Sequence, residues 1–319
     1  MLKIMKEKAP TLCVVTGHGE HPFNGQEADG MKAVKDALEV QAYIVKDISL
    51  LEGANALKDC TALVLPGVNK AIFPQELKIL KDYLANGGRM VLAYNLDPKA
   101  GQFPAGIEEL LKDWYIKPVL GLVIDPVSRM LGMDTSMPVI ATHSKDSAIT
   151  KDFQGNAFFP FATPLEIIPG APGSLTLTWL GQTTPKSILV SDMKALASGR
   201  VTVDPNKSKM GPFNAAIAAE GKLKDSKAEK KTRVVAFGTS QFATNNFAKY
   251  GINLDYLVNA ISWVLDDESV ISVRKKDDEA SRLELSSRMA GTIAIFTMVI
   301  IPLLVAAGGI VFWLIRRRM

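Results

Sequence analysis

Cysteine is almost missing from this sequence: 319 residues hold two, Cys13 and Cys60. Two thiols are too few for a disulfide scaffold or a cysteine-rich zinc cluster. Histidine is nearly as scarce, with three residues, His18, His21 and His143. Neither sign of charge prevails, since 37 Lys and Arg face 33 Asp and Glu, leaving +4. That balance argues against a dedicated nucleic-acid binder, which carries a dense basic patch. A phosphate-binding G-x-x-x-x-G-K-[ST] loop is missing, so the chain is not itself an ATPase. The opening MLKIMKEKAP has no apolar stretch long enough for a signal peptide or a first membrane span. Apolar side chains are what the sequence does hold, 47% against 22% charged. That ratio excludes a disordered chain and suits one large or two modest domains.

Residues 290–315 are 26 residues without a charge, and the positive mean hydropathy of +0.12 owes much to them. A helical span needs about 20 such residues, so this run is expected to cross a membrane once. Arg288 and Arg316 bound it, and Trp313 lies where an amphipathic ring prefers the interface. Pro302 suits a kink, and Gly308 and Gly309 suit a close contact with another helix inside the membrane. Arg316, Arg317 and Arg318 favour a cytoplasmic end by the positive-inside rule. Arg274, Lys275, Lys276, Arg282 and Arg288 weigh on the other side, so the orientation stays open. Residues 269–289 read as a linker and residues 316–319 as a basic tail.

The first half alternates strands and helices. Residues 11–16 (TLCVVT) are an apolar, β-branched run ending at Gly17, as a strand buried on both faces would be. Residues 42–45, 62–65 and 89–94 repeat the pattern, and 119–124 is extended. Between them, helices are expected over 26–40, 74–84, with proline at its first turn, and 106–114. Short connections between such elements predict a parallel sheet covered by helices, flavodoxin-like or like the class I glutamine amidotransferases. From about 125 to 230 short extended segments dominate, which predicts a β-rich insertion. Residues 233–237 then return as a strand and 253–265 as an amphipathic helix, so residues 1–268 form one α/β domain.

Ligand crevices of open α/β sheets lie at the carboxyl ends of the strands. The residues expected there are His18, Glu20, Asn69, Asn95 and Asn245, polar groups able to orient a ligand or partner. A dinucleotide fingerprint fails on Gly17–His18–Gly19–Glu20–His21, because Pro22 stands where the third glycine belongs. A metal reading of His18, Glu20, His21 and His143 lacks any spacing that brings them together, and no metal or cofactor is expected. Nucleophilic catalysis needs a cysteine or serine on the turn after the third strand, and Leu65–Pro66–Gly67–Val68–Asn69 has neither. No catalytic residue is therefore assigned. The alternative is a membrane-tethered, amidase-like hydrolase that uses His18 and Glu20.

Several pieces recur in a known order. They are Thr16–Gly17–His18–Gly19–Glu20, Leu63–Val64–Leu65–Pro66–Gly67, Pro74–Gln75–Glu76, and Tyr83–Leu84 through Gly87–Gly88–Arg89. Asp125, Ala141–Thr142–His143 and Gly211–Pro212–Phe213 follow. Then come Val235–Ala236–Phe237–Gly238–Thr239–Ser240–Gln241–Phe242, Asn245, Asn246, Asn253, Asn259–Ala260 and Trp263. Together they resemble the gliding-motility-associated auxiliary component of ABC transporters, the GldG-like proteins, over nearly the whole chain. Gln241 and Thr239 depart from the acidic residues common after that strand. The resemblance implies a non-catalytic accessory subunit, anchored in the inner membrane, that works beside an ABC permease and an ABC ATPase. It also implies a periplasmic sheet domain; a cytoplasmic tail-anchored adaptor is the alternative.

Overall fold

The apolar run Thr11–Thr16 (β1) is a strand whose side chains alternate between two layers: Leu12 and Val14 enter one core, Cys13 and Val15 the other. The computed structural model describes residues 9–97, 99–198, 208–223, 226, 228–266 and 296–317. The chain divides into two units, Met1–Val273 and Arg274–Met319.

In the first unit β1 is followed by α1 (Lys32–Val40), β2 (Ile44–Ser49), a 3₁₀ segment (Leu50–Leu57), β3 (Ala62–Val68), α2 (Pro74–Ala85) and β4 (Arg89–Tyr94). Next come α3 (Ile107–Lys112), β5 (Ile116–Pro118), β6 (Leu122–Ile124), α4 (Pro126–Met130), β7 (Val139–His143) and β8 (Ala157–Phe158). They lead to β9 (Leu165–Ile167), β10 (Leu175–Thr183), β11 (Ile188–Val190), α5 (Met193–Ser198) and β12 (Lys209–Met210). The unit closes with β13 (Asn214–Gly221), β14 (Thr232–Phe237) and α6 (Asn253–Val264).

The main sheet runs β2-β1-β3-β4-β14-β13-β10-β7-β8. Its first five strands are parallel, whereas β13, β10, β7 and β8 each run antiparallel to their neighbours. The expected parallel sheet is thus corrected to a mixed one. The physical reason is the length of the connection: ten residues separate β13 from β14, which suits antiparallel neighbours, while parallel ones need a crossover of about a dozen or more. A small antiparallel sheet, β12-β11-β6, lies apart from the main one.

One core contains Val34 and Leu38 of α1 and Leu257, Ile261 and Val264 of α6. The other contains Leu77, Leu80 and Leu84 of α2 and Ile107, Leu110 and Leu111 of α3. α1 starts at Lys32, later than the expected residue 26, because Gly25 and Gly30 touch backbone to backbone. A Cβ on Gly30 would lie 2.2 Å from the Gly25 carbonyl oxygen. Cys13 and Cys60 form a disulfide with a Cα–Cα distance of 5.5 Å, tying β1 to the turn before β3.

In the second unit Phe296–Ile300 winds as a π-helical turn and continues into α7 (Ile301–Arg317). Among the described residues no helix is long and apolar enough to cross a membrane. That finding corrects both the expected C-terminal transmembrane helix and the single-span inner-membrane placement that rested on it. α7 has 17 residues, about 26 Å at the α-helical rise, against a hydrocarbon core of about 30 Å. Pro302 accounts for the break, since it has no N–H for the carbonyl four residues back and opens the turn before it. Residues 290–295 of the expected span, and the linker 269–289, lie outside the described residues.

Candidate functional site

At the carboxyl end of β1 the backbone turns through Gly17 and Gly19, both at positive φ (+128° and +79°). Asn69 lies so close above Gly19 that a Cβ there would meet its Oδ1 at 1.9 Å, and its Nδ2 donates to the Gly19 carbonyl at 3.0 Å. The backbone N–H groups of Asn69 and Lys70 both donate to the His18 carbonyl. The β3 end and the β1 end are thereby held together.

Inside this turn His18 is buried between two carboxylates. Its Nδ1 lies 2.9 Å from Glu20 Oε1 and its Nε2 lies 3.0 Å from Glu76 Oε2. Glu20 also accepts the His18 backbone N–H at 2.6 Å, and Glu76 accepts the Phe73 N–H at 3.0 Å. Glu76 stands in the first turn of α2, where a carboxylate caps a free backbone donor and suits the positive end of the helix. The hydrogen bond to Glu20 is the main cause that raises the His18 pKa to about 9; burial opposes it and Glu76 adds to it. The ring is therefore an imidazolium at neutral pH, with both nitrogens donating. It pins the β1 turn to the start of α2.

A second network closes the middle of the strand ends. His21 donates its backbone N–H to the Pro66 carbonyl at 2.9 Å. Its Nε2 lies 2.8 Å from Ser240 Oγ, and Ser240 donates through both N–H (3.1 Å) and Oγ (2.9 Å) to Asn95 Oδ1. Asn95 Oδ1 can only accept, while the direction of the His21–Ser240 bond is set by the tautomer of the ring. Burial lowers the His21 pKa, while the Asp29 carbonyl partly offsets this. The ring is thus neutral.

Asn245, expected to face a ligand, is fully engaged elsewhere. Its Oδ1 accepts the Ala33 N–H, and its Nδ2 donates to the carbonyls of Gly25 and Glu27. It closes the loop ahead of α1. His143 is on β7 with Tyr256 (2.6 Å) and the Gly155 carbonyl (2.8 Å), apart from the partners of His18 and His21. Among the described residues no three His, Cys, Asp or Glu converge on a metal position.

The structure thus brings His18, Glu20 and Asn69 into one network and Asn95 into a neighbouring one. Sequence reasoning did not select Glu76 or Ser240. Proline followed two residues later by glutamate marked the start of α2, a usable sign of a capping carboxylate. Ser240 had no local sign. A polar cleft of about 430 Å³ does open beside the network, lined by Thr16, Asp47, Ser49, Glu52, Asn55 and Asp59 among others.

The chain is similar in fold to a solved mmIFT52 N-terminal domain, with a TM-score of 0.59 and 12% identity over 80% of this chain and 97% of that one. A ThuA-like protein from Bacteroides uniformis matches 81% of this chain and 93% of its own, with a TM-score of 0.46 and 14% identity. No curated protein matches the sequence significantly. A family model described as an ABC-type uncharacterized transport system matches residues 9–260, well over half of the chain. This protein belongs to that family, the auxiliary components of ABC-type transport systems.

Proposed function

We propose that this auxiliary component is a non-catalytic binding or scaffold subunit, working beside a separate permease and ATPase. The observation that carries the reading is the closure of the strand ends. His18, Glu20, Asn95 and Asn245 bond to protein groups on neighbouring loops rather than standing free in a crevice. A hydrolase that used His18 and Glu20 would need a free base, and His18 has both nitrogens engaged. Ser240 beside His21 is fully buried, and its hydroxyl is held by both Asn95 and His21. Partner recognition then falls to the outer surface of the sheet domain, with Asn69 the exposed member of the strand-end set. It also falls to α7, where a Cβ on Gly308 or Gly309 meets nothing within 4 Å.

The test is affinity capture of the full chain from cells carrying the transport system, in mild detergent, with mass spectrometry of what is retained. A permease and an ATPase in comparable amounts support the reading. Recovery of the chain alone, while other transporters stay assembled, overturns it. Ser240→Ala is expected to leave transport unchanged in a folded protein, and loss of transport would instead argue for catalysis.

A further inference from the structure

We propose that the Cys13–Cys60 disulfide is a redox-sensitive latch, whose reduction releases residues 51–60 and reshapes the polar cleft at the carboxyl ends of β1 and β2. The observation is how little else fastens that segment. Among the described residues, no hydrogen bond joins 51–60 to another element except the one that Leu51 N–H donates to Ser49 Oγ (3.4 Å). Lys58 N–H donates to the Asn55 carbonyl and Cys60 N–H to the Leu57 carbonyl, both inside the segment. Leu51, Glu52, Ala54, Asn55, Lys58 and Asp59 are exposed. Leu57 is buried, in the core that also takes Leu77 and Leu80 of α2.

A hinge and a fixed point bound the segment. Gly53, at φ +76°, interrupts the 3₁₀ turns, and a Cβ there would meet nothing within 4 Å. Beyond Cys60, Thr61 N–H donates to the Thr11 carbonyl (2.8 Å) and Thr11 N–H donates to Thr61 Oγ1 (3.1 Å), so the sheet is firm from residue 61. The disulfide is the cross-link that ties the loose stretch between them to β1. Glu52, Asn55, Ala56 and Asp59 of this stretch form one wall of the polar cleft, opposite Thr16, Asp47 and Ser49 on the strand ends. Movement of 51–60 therefore changes the cleft and leaves the β1–β3 ladder in place.

Access to the two sulfurs is unequal. Cys13 has no exposed surface, whereas Cys60 is half-buried. The thiolate of an incoming dithiol therefore attacks Cys60 Sγ, the S–S bond breaks, and its electron pair leaves on Cys13 Sγ. Cys13 takes up a proton and stays in the core as a small apolar side chain, because an unpaired charge there is costly. The second thiol of the reductant then attacks its own sulfur in the mixed disulfide. Cys60 leaves with the second electron pair and takes the second proton, and the reductant departs as a cyclic disulfide. This latch is independent of the proposed permease and ATPase partners.

The test is hydrogen exchange of the full chain in mild detergent, read by mass spectrometry before and after treatment with dithiothreitol under native conditions. Exchange across 51–60 is expected to become about tenfold faster or more, while β4 and β14 stay protected over minutes. Iodoacetamide added after reduction should label Cys60 well ahead of Cys13, and oxidised glutathione should restore slow exchange. The paired Cys13→Ala, Cys60→Ala variant should exchange fast over 51–60 with or without the reductant. Unchanged exchange over 51–60 on reduction overturns the proposal, as does slow exchange there in the paired variant. Loss of protection in β4 and β14 over the same minutes also overturns it, making the bond a staple of the whole domain. So does a disulfide that dithiothreitol reduces only after urea has unfolded the chain.

Discussion

Gly67 packs directly on Ser240: a Cβ at position 67 would lie 2.7 Å from the Ser240 hydroxyl and 2.6 Å from the His21 ring. The turn after β3 therefore closes the strand ends by having no side chain. Its φ of +105° also lies where other residues are strained. Gly67→Ala is expected to lower stability by about 2 kcal/mol or more, through clash and backbone strain together. Urea denaturation measures it, and a change within about 0.5 kcal/mol would remove Gly67 from this role.

The His18 clamp gives stability a defined dependence on pH. The folded pKa of about 9 lies above the unfolded value of 6.5. The contribution is therefore complete below about 6.5 and is lost as pH rises through about 9. Its size is on the order of 3 kcal/mol. His18→Gln should flatten the decline between pH 7 and 9, and a persistent slope would place its origin elsewhere.

His21 acts in the opposite sense. Its folded pKa is lowered, chiefly by burial, so its contribution is present above about 6.5 and lost as pH falls through the lower folded value. His21→Asn should lessen the acid-side loss. Proton titration followed by NMR should find the two rings on opposite sides of the free histidine value.

Glu76 supports both the buried imidazolium and the first turn of α2. Glu76→Ala leaves a buried charge short of a partner, and about 3 to 5 kcal/mol is the expected loss. Glu76→Gln keeps the hydrogen-bonding shape and should recover part of it. Equal losses in thermal denaturation would show that the charge, not the capping bond, is what matters.

The Cys13–Cys60 disulfide closes a loop with a sequence separation of 47. Loop-closure entropy assigns it about 4 kcal/mol. Treatment with a reducing dithiol should therefore lower the unfolding midpoint, and the paired Cys13→Ala, Cys60→Ala variant should match the reduced chain. An unchanged midpoint would mean that the bond constrains little.

Much of the parallel half was legible from composition and period. β1 and β4 fall on the runs that mark them, and α2 starts at the proline that predicted it. The candidate site was legible only in part. Gly17, His18, Gly19 and Glu20 announced a strand-end turn, but whether His18 would face a ligand or a second carboxylate depended on Glu76, 58 residues away. Asn245 looked equally available and proved to be a loop closure.

By itself the sequence determined the local elements, because apolar period, β-branching, glycine turns and a first-turn proline act between near neighbours. It also fixed the family, through ordered motifs spread over residues 9–260. Tertiary structure alone decided that β13 reverses the sheet, that Cys13 meets Cys60, and that Ser240 reaches His21 across 219 residues. Such contacts follow from how the layers stack, and each buried polar group then takes the partner that the stack places within reach.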